Sequence, residues 1–321
     1  MSYYSSRLIS NSSLSYINPD QEGSAQKFRK YLDGELESED SLSLERGDLI
    51  HKYMLEPDKF NALEMDLPSD TIIKIVDEVL IRNYDIKPEF GDNKEFILAA
   101  ADTIGYGKNW KPETVLNKIV EAGTEYYNFK LANSNKIIVD YSTMNVVRSC
   151  VASLMHSDPA MQLLNAPGGQ NEKEIFWDAI ASDGSIHKAK SKLDRLIIDH
   201  VAKTFTVVDL KTSGKHISRY PESFAFWHTY RQMAYYIDAI QFMLGEEYSP
   251  SQEHYIVAVM TKDPYLTRVF RVTMEGGYID KGRQEYKDLL TRINVHTTSA
   301  NWVDEMETIN GVLTFELKLD E

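Results

Sequence analysis

Two aspartates and a lysine share the segment Lys192 to Lys211, KLDRLIIDHVAKTFTVVDLK. Asp194 interrupts the apolar run LDRLII, Asp209 closes the run TFTVVDL, and Lys211 follows two residues later. Unpaired charges are costly to bury. Two neighbouring carboxylates repel, and one protonates unless a cation intervenes. Mg²⁺ suits such a place, because it prefers oxygen ligands and commonly takes one or two carboxylates with water and phosphate. An ion held there activates water and offsets the charge of an attacked phosphodiester, and a nearby ammonium orients or deprotonates that water. The same residues can also be read as surface salt bridges on an ordinary hairpin, since D-x-K is a common tripeptide.

Positioning these groups requires strands. The second run is rich in β-branched and aromatic residues, and the polar stretch from Asp199 to Lys203 reads as a turn, so the segment is expected to be a β-hairpin. Alternation along a strand puts Asp209 and Lys211 on one face and Leu210 on the other. Pairing through the short turn brings Asp194 beside Asp209. A preceding strand is expected over KEIFWDAI, with Glu174 just inside it, after a loop NAPGGQNE at 165–172 and before a turn ASDGS at 181–185.

Other elements would line the same place. Lys188, Lys190 and Lys192 alternate along one strand face beside Asp194, and Lys215, Arg219 and Arg231 follow. They form either a basic lining for a phosphate backbone or a solvated edge guarded by lysines. A long helix over Pro221 to Leu244 sets His228, Gln232 and Tyr236 at i, i+4 and i+8, while Tyr235 suits a core. HYIVAVMTK and LTRVFRVT read as closing strands joined by a DPY turn, followed by a helix over Tyr278 to Ile293 and an edge strand VLTFELKL. Towards the N-terminus, residues 1–23 read as an extended or partly disordered arm, with a short helix from Ala25 and an acidic loop at 33–45. A helix from near Ser43 carries His51 and ends at Pro57. Helices are also expected over 69–83 with Ser69 as N-cap, 92–105, Pro112 to Lys130, Ser142 to His156, and a short one after Asp158-Pro159.

Composition excludes several classes. The chain has 321 residues, of which 42% are hydrophobic and 26% charged, ordinary for a globular protein. No apolar run approaches the ~18 residues of a membrane span, and the N-terminus shows no secretion signal, so the cytoplasm is the expected compartment. A single cysteine, Cys150, rules out internal disulfides and cysteine-rich zinc or iron–sulfur sites. A net charge of −14 argues against a protein that simply coats DNA. It leaves room for a local basic lining on an acidic body. Ser213-Gly214-Lys215 lacks the spacing of a nucleotide-binding loop.

Taken together, LDRLII, VVDLKTS and RQMAYYIDA at 231–239 resemble the PD-(D/E)xK nuclease superfamily, within it the RecB-like and exonuclease VIII-like branch that includes lambda-type exonucleases. Gln232 and Tyr236 match the Q-x-x-x-Y motif of that branch, and GDLIHKYMLEP at 47–57 matches its G-x-x-I-H-x-x-x-L-E-P pattern, with the histidine at His51. The resemblance spans roughly residues 45–275. It implies that Asp194 and Asp209 hold Mg²⁺, with Mn²⁺ able to substitute. The Leu210 backbone carbonyl, His51 and Glu174 are implied as further ligands. Lys211 would position or activate the attacking water. Gln232 and Tyr236 would support the site and the DNA, with Lys190, Lys192 and Arg231 as basic contacts. Some RecB-like relatives carry a four-cysteine iron–sulfur cluster, which this chain cannot.

The expected fold is α/β: a central mixed β-sheet flanked by helices, a restriction-endonuclease-like core, with a helical N-terminal region. The expected divisions are an arm and acidic loop at 1–45, a helical region at 46–170 packed on the core, and the nuclease core with its C-terminal helix at 171–321. The expected activity is a Mg²⁺-dependent exodeoxyribonuclease that processes double-stranded DNA ends for recombination or repair. The resemblance further implies a single-strand annealing partner and a ring-shaped homo-oligomer. An endonuclease, a helicase-associated nuclease subunit and a non-catalytic DNA-binding protein of the same fold are the alternatives.

Overall fold

A computed structural model describes residues 3, 6–36, 41–82 and 86–303. The expected edge strand VLTFELKL lies outside the described residues. In chain order the first helices are α1 (Asn11–Leu14), α2 (Ala25–Asp33) and α3 (Leu42–Leu55). The chain then divides: residues 58–148 form one compact unit, and residues 1–57 with 149–321 form the other.

The unit of residues 58–148 holds β1 (Ala62–Met65), α4 (Asp70–Ile81), α5 (Lys94–Ile104), α6 (Pro112–Ala132) and β2 (Ile137–Asp140). The two short strands, not foreseen in the sequence, pair in parallel. Ile72, Ile75, Val76 and Val79 recur at helical spacing along α4 and are buried with Ile97, Ile119 and Tyr127. This periodicity is what makes these segments helical on one apolar face. Ser69 sits at the N-cap of α4 with extended backbone, but its side chain makes no capping hydrogen bond. The next helix, α7 (Tyr141–Met155), crosses the boundary between the two units.

The larger unit continues with α8 (Asp158–Leu164), β3 (Gly169–Ile180), β4 (Ile186–Asp199), β5 (Thr204–Ser213), α9 (Tyr220–Phe226), α10 (Thr229–Leu244), β6 (Ser249–Pro250), β7 (Glu253–Met260), β8 (Thr267–Thr273) and α11 (Tyr278–Ser299). Its six-stranded sheet runs β3-β4-β5-β7-β8, with β6 beside β5. Only the β5–β7 and β5–β6 pairings are parallel, so the sheet is mixed. The β3–β4 and β4–β5 turns are each closed by an aspartate. Asp183 Oδ1 accepts the Ser185 amide at 3.0 Å, and Asp199 Oδ1 accepts the Val201 and Ala202 amides at 2.9 Å. Short acidic side chains favour turns for this reason.

One face of the sheet buries Trp177, Leu193, Phe205 and Ile256 with Tyr235 and Ile240 of α10 and Tyr286 of α11. The two helices approach closely at Gly282, where a Cβ would lie 2.4 Å from the Tyr230 carbonyl oxygen. Three expectations change here. Strand β3 begins at Gly169, inside the stretch read as a loop. The helix expected over 221–244 breaks between α9 and α10, with His228 at the break in the left-handed region, φ 52°. The N-terminal stretch is not an arm: Ile9 pairs with Ala189, and Leu14, Ile17 and Phe28 are buried in the main core. Its Ser- and Asn-rich composition supplies caps instead, as in the Ser10–Ser13 capping box that starts α1. Among the described residues no helix is long and apolar enough to cross a membrane.

Candidate active site

The β4–β5 ladder pairs Arg195 with Val208 and Leu196 with Val207. Continued by one rung, that register sets Asp194 beside Asp209. The Leu210 amide donates to Asp194 Oδ2 at 2.7 Å, which fixes the carboxylate across the strands. On the other side of β4 the β3 register sets Glu172 opposite Asp194. Here the alternation of β4 changes phase: Ala189 and Leu193 face the core before this point, Leu196 and Ile198 after it. Glu172 takes a left-handed φ of 50° at the same place. Local breaks of this kind re-aim side chains, and these acids point into a cleft instead of along the ladder.

The cleft has a volume of about 870 Å³ and is lined by His51, Glu172, Asp194, Lys211 and Gln232 among others. Helix α3 packs against β4 and β5 and delivers His51, whose Nδ1 lies 3.6 Å from Asp194 Oδ1. That is too long for a hydrogen bond. One ligand atom from each of His51, Glu172 and Asp194 lies within 4.8 Å of the others. Asp209 lies beneath this trio, 1% exposed, with Lys211 Nζ 2.7 Å from its Oδ2. The contact is ionic; its angle leaves Oδ2 without a well-formed hydrogen bond. Gln232 Nε2 donates to Asp209 Oδ1 at 3.2 Å and to the Tyr236 hydroxyl at 2.9 Å.

Burial controls the electrostatics. It raises the carboxyls of Asp194 and Glu172, against the pull of Lys211 and Lys192 respectively. Asp209 is pushed up to about 6, first by burial and then by Asp194, with Lys211 opposing. Burial and the Lys211 charge lower His51, so its ring is neutral and keeps a lone pair. Burial alone would depress Lys211, but Asp209 and Asp194 together hold it above the ordinary lysine value, and it is a cation. The trio therefore offers an imidazole nitrogen and two carboxylates whose negative charge the fold disfavours. A divalent cation offsets that charge, and this donor set fits one.

The structure brings together Asp194, Asp209, Lys211, His51, Gln232 and Tyr236 as expected from the sequence. The Leu210 backbone lines the same cleft, its amide bonded to Asp194. Glu174 is not with them: it is exposed and pairs across the ladder with Lys192. Glu172 occupies the place assigned to it. Counting back through the 181–185 turn, with Ile180 opposite Ile186, puts residue 172 opposite 194. That count was available in the sequence; it was hidden because Glu172 stood in a stretch read as a loop.

The basic candidates divide. Lys192 Nζ pairs with Glu172 Oε2 at 2.5 Å and lines the cleft, as does Lys215. Lys190 is 7% exposed and donates to the Tyr3 and Ser6 carbonyl oxygens, so it anchors the N-terminal stretch and meets no phosphate. Arg231 is fully buried, paired with Glu285 at 3.0 Å and bonded to Asn11 and Ser15. His228 also turns to Glu285, at 2.6 Å, away from the Gln232 face. Lys188 pairs with Asp178, and Arg219 with Glu222.

Among solved structures, the chain is similar to a crystal structure named as a "putative exonuclease" from Eubacterium rectale. The two share 11% identity and a TM-score of 0.52 over 98% of this chain and 94% of that one, which shows a shared fold. The crystal structure of SSO0001 aligns with 83% of this chain and 96% of its own at 13% identity, but its TM-score of 0.25 carries no weight. No curated protein matches the sequence. The model of the family described as "PDDEXK-like domain of unknown function (DUF3799)" matches residues 12–312, and the chain belongs to that family.

Proposed function

We propose that the protein is a Mg²⁺-dependent exonuclease that processes double-stranded DNA ends in recombination or repair. One observation carries this reading: His51, Glu172 and Asp194 converge in a solvent-open cleft that Lys211 also lines, with Lys211 paired to the buried Asp209. A cation bound by His51, Glu172 and Asp194 would supply Lewis acidity, activating water and offsetting charge on the phosphodiester. The protein's own residues do the rest. The Leu210 amide and Lys192 fix Asp194 and Glu172 in place. Lys211, held protonated by Asp209, presents an ammonium that orients water and meets the developing charge of the attacked phosphate. Gln232 holds Asp209 through its amide and is itself tied to Tyr236. Lys52 and Lys215 line the same cleft and offset the phosphate backbone. Mn²⁺ substitutes for Mg²⁺, since carboxylate and water ligands suit both ions. A ring-shaped homo-oligomer and a single-strand annealing partner belong to the same proposal and rest on the family resemblance.

The test is incubation of purified protein with end-labelled linear duplex and with covalently closed circular DNA, with Mg²⁺ or with EDTA. Digestion of the linear substrate alone, only with Mg²⁺, and lost in Lys211→Ala and Asp209→Asn, is the expected result. Nicking of the circle would replace the exonuclease with an endonuclease. No metal-dependent cleavage of either substrate would overturn the proposal.

A further inference from the structure

We infer that Trp227 is the stacking surface for an unpaired nucleobase at the strand end that enters the cleft. The occupant rests on the nuclease reading; the surface itself stands on separate observations. Trp227 lines the cleft that contains Asp194, Lys211 and Gln232, and it is 65% exposed. Phe226, 66% exposed, meets it edge to face with ring centroids 4.7 Å apart. Large aromatics left in water are the informative exception to burial.

The backbone that carries this ring is held from several sides. The Trp227 amide donates to the Ser223 carbonyl at 2.9 Å, and its own carbonyl accepts the Gln21 side chain at 3.5 Å. The next residue, His228, is buried and bonded to Glu285. Its left-handed backbone is the break that ends α9 and turns the chain into α10. Gln232, one turn into α10, reaches Asp209. One rigid corner thus sets both a flat apolar ring at the cleft and the amide on the acid beneath it. Phosphates are met by the cleft lysines; a base next to them requires a flat apolar face. Every base has a π-face, so such a surface binds without reading sequence and favours ends that are frayed or single-stranded.

The test is fluorescence anisotropy of short labelled single-stranded DNA in Ca²⁺ buffer, with an intact or an abasic terminal nucleotide at either end. Stacking by one aromatic is worth about 1–3 kcal/mol, so Trp227→Ala should weaken binding of the intact strand by about 5- to 150-fold. Trp227→Phe should keep most of the affinity, and Trp227→Ala should gain or lose nothing from the terminal base. In Mg²⁺ the same alanine variant should raise KM with kcat little changed, the sign of lost uniform binding. Equal binding by wild type and Trp227→Ala, or wild-type binding indifferent to the terminal base, overturns the inference. Base-dependent binding through Trp227 without any cleavage would uphold it while the proposed activity failed.

Discussion

Glu172 and Asp194 face each other across the β3–β4 ladder at the one rung between Gly169 and Ile180 where the strands do not pair. Glu172 reaches that position with a φ of 50°. A left-handed backbone costs a non-glycine residue about 1–2 kcal/mol. Such conformations persist where the surroundings hold them and gather at functional sites. Lys192 holds this one, pairing with Glu172 at 2.5 Å.

The first prediction separates two glutamates two residues apart. Glu172→Gln should weaken Mn²⁺ binding by at least the roughly 10- to 100-fold that loss of a ligand's hydrogen-bond partner costs, since Glu172 is one of the proposed ligands, and cleavage should fall with it. Glu174→Gln should leave both near wild type, because that side chain is exposed and outside the trio. Calorimetric Mn²⁺ titration and initial rates on labelled duplex measure the two effects; equal losses would undo the assignment.

The second concerns protons at Asp209 and metal at the acids beside it. Asp209 is raised to about 6 in the fold, above its unfolded value near 4. The folded state therefore binds more protons between those values, and this group stabilises the metal-free protein as pH falls through about 6. Divalent cations require the deprotonated acids. Burial raises the ligand acids Glu172 and Asp194 in the same direction, so the rise in Tm on adding Mn²⁺ should be larger at pH 8 than in mild acid, where those acids take up protons, and should vanish with EDTA. A thermal shift that is flat with pH would contradict this account.

His254 on β7 gives the opposite slope. It is 0% exposed, its Nδ1 accepts the Val207 amide at 3.0 Å, and its Nε2 has no hydrogen-bond partner. Burial lowers its pKa to about 4. The unfolded chain then binds more protons between about 6.5 and 4, so the stability this group contributes is present above pH 6.5 and lost as pH falls to 4, about 3 kcal/mol in all. Denaturant titrations across that range should show the loss in wild type and a flatter profile in His254→Asn, which keeps an acceptor but does not titrate. Identical slopes would show that His254 is not the source.

Arg231 should behave as part of the fold. Its guanidinium is buried against Glu285, Asn11 and Ser15. Arg231→Met leaves the Glu285 carboxylate without that cation and should cost about 3–5 kcal/mol in urea unfolding. DNA affinity per folded molecule, measured by anisotropy, should be unchanged. A large loss of affinity with stability intact would restore Arg231 to the DNA surface.

Much of this was legible in the sequence for physical reasons. The alternation around Asp209 and Lys211 settles which face each side chain takes. The turns at 181–185 and 199–203 carry aspartates that close them locally. The α3 motif places His51 on a helix. What could not be read was any position that depends on a partner far along the chain. Ser- and Asn-rich residues 6–23 looked unpartnered because Ile9 and Leu14 meet core neighbours in β4, α10 and α11, far along the chain. Lys190 and Arg231 looked like basic lining because their acceptors at Ser6, Asn11 and Glu285 are remote in sequence.

Local spacing and charge alone were enough to pair Asp194 with Asp209 and Lys211, since strand period and short turns act over a few residues; the mixed sheet was implied by the family resemblance. Tertiary structure decided that Glu172 and not Glu174 joins them, that His228 leaves the Gln232 face, and that an exposed tryptophan shares their cleft. Those outcomes depend on a local backbone inversion and on burial, and neither is a property of a residue type taken by itself.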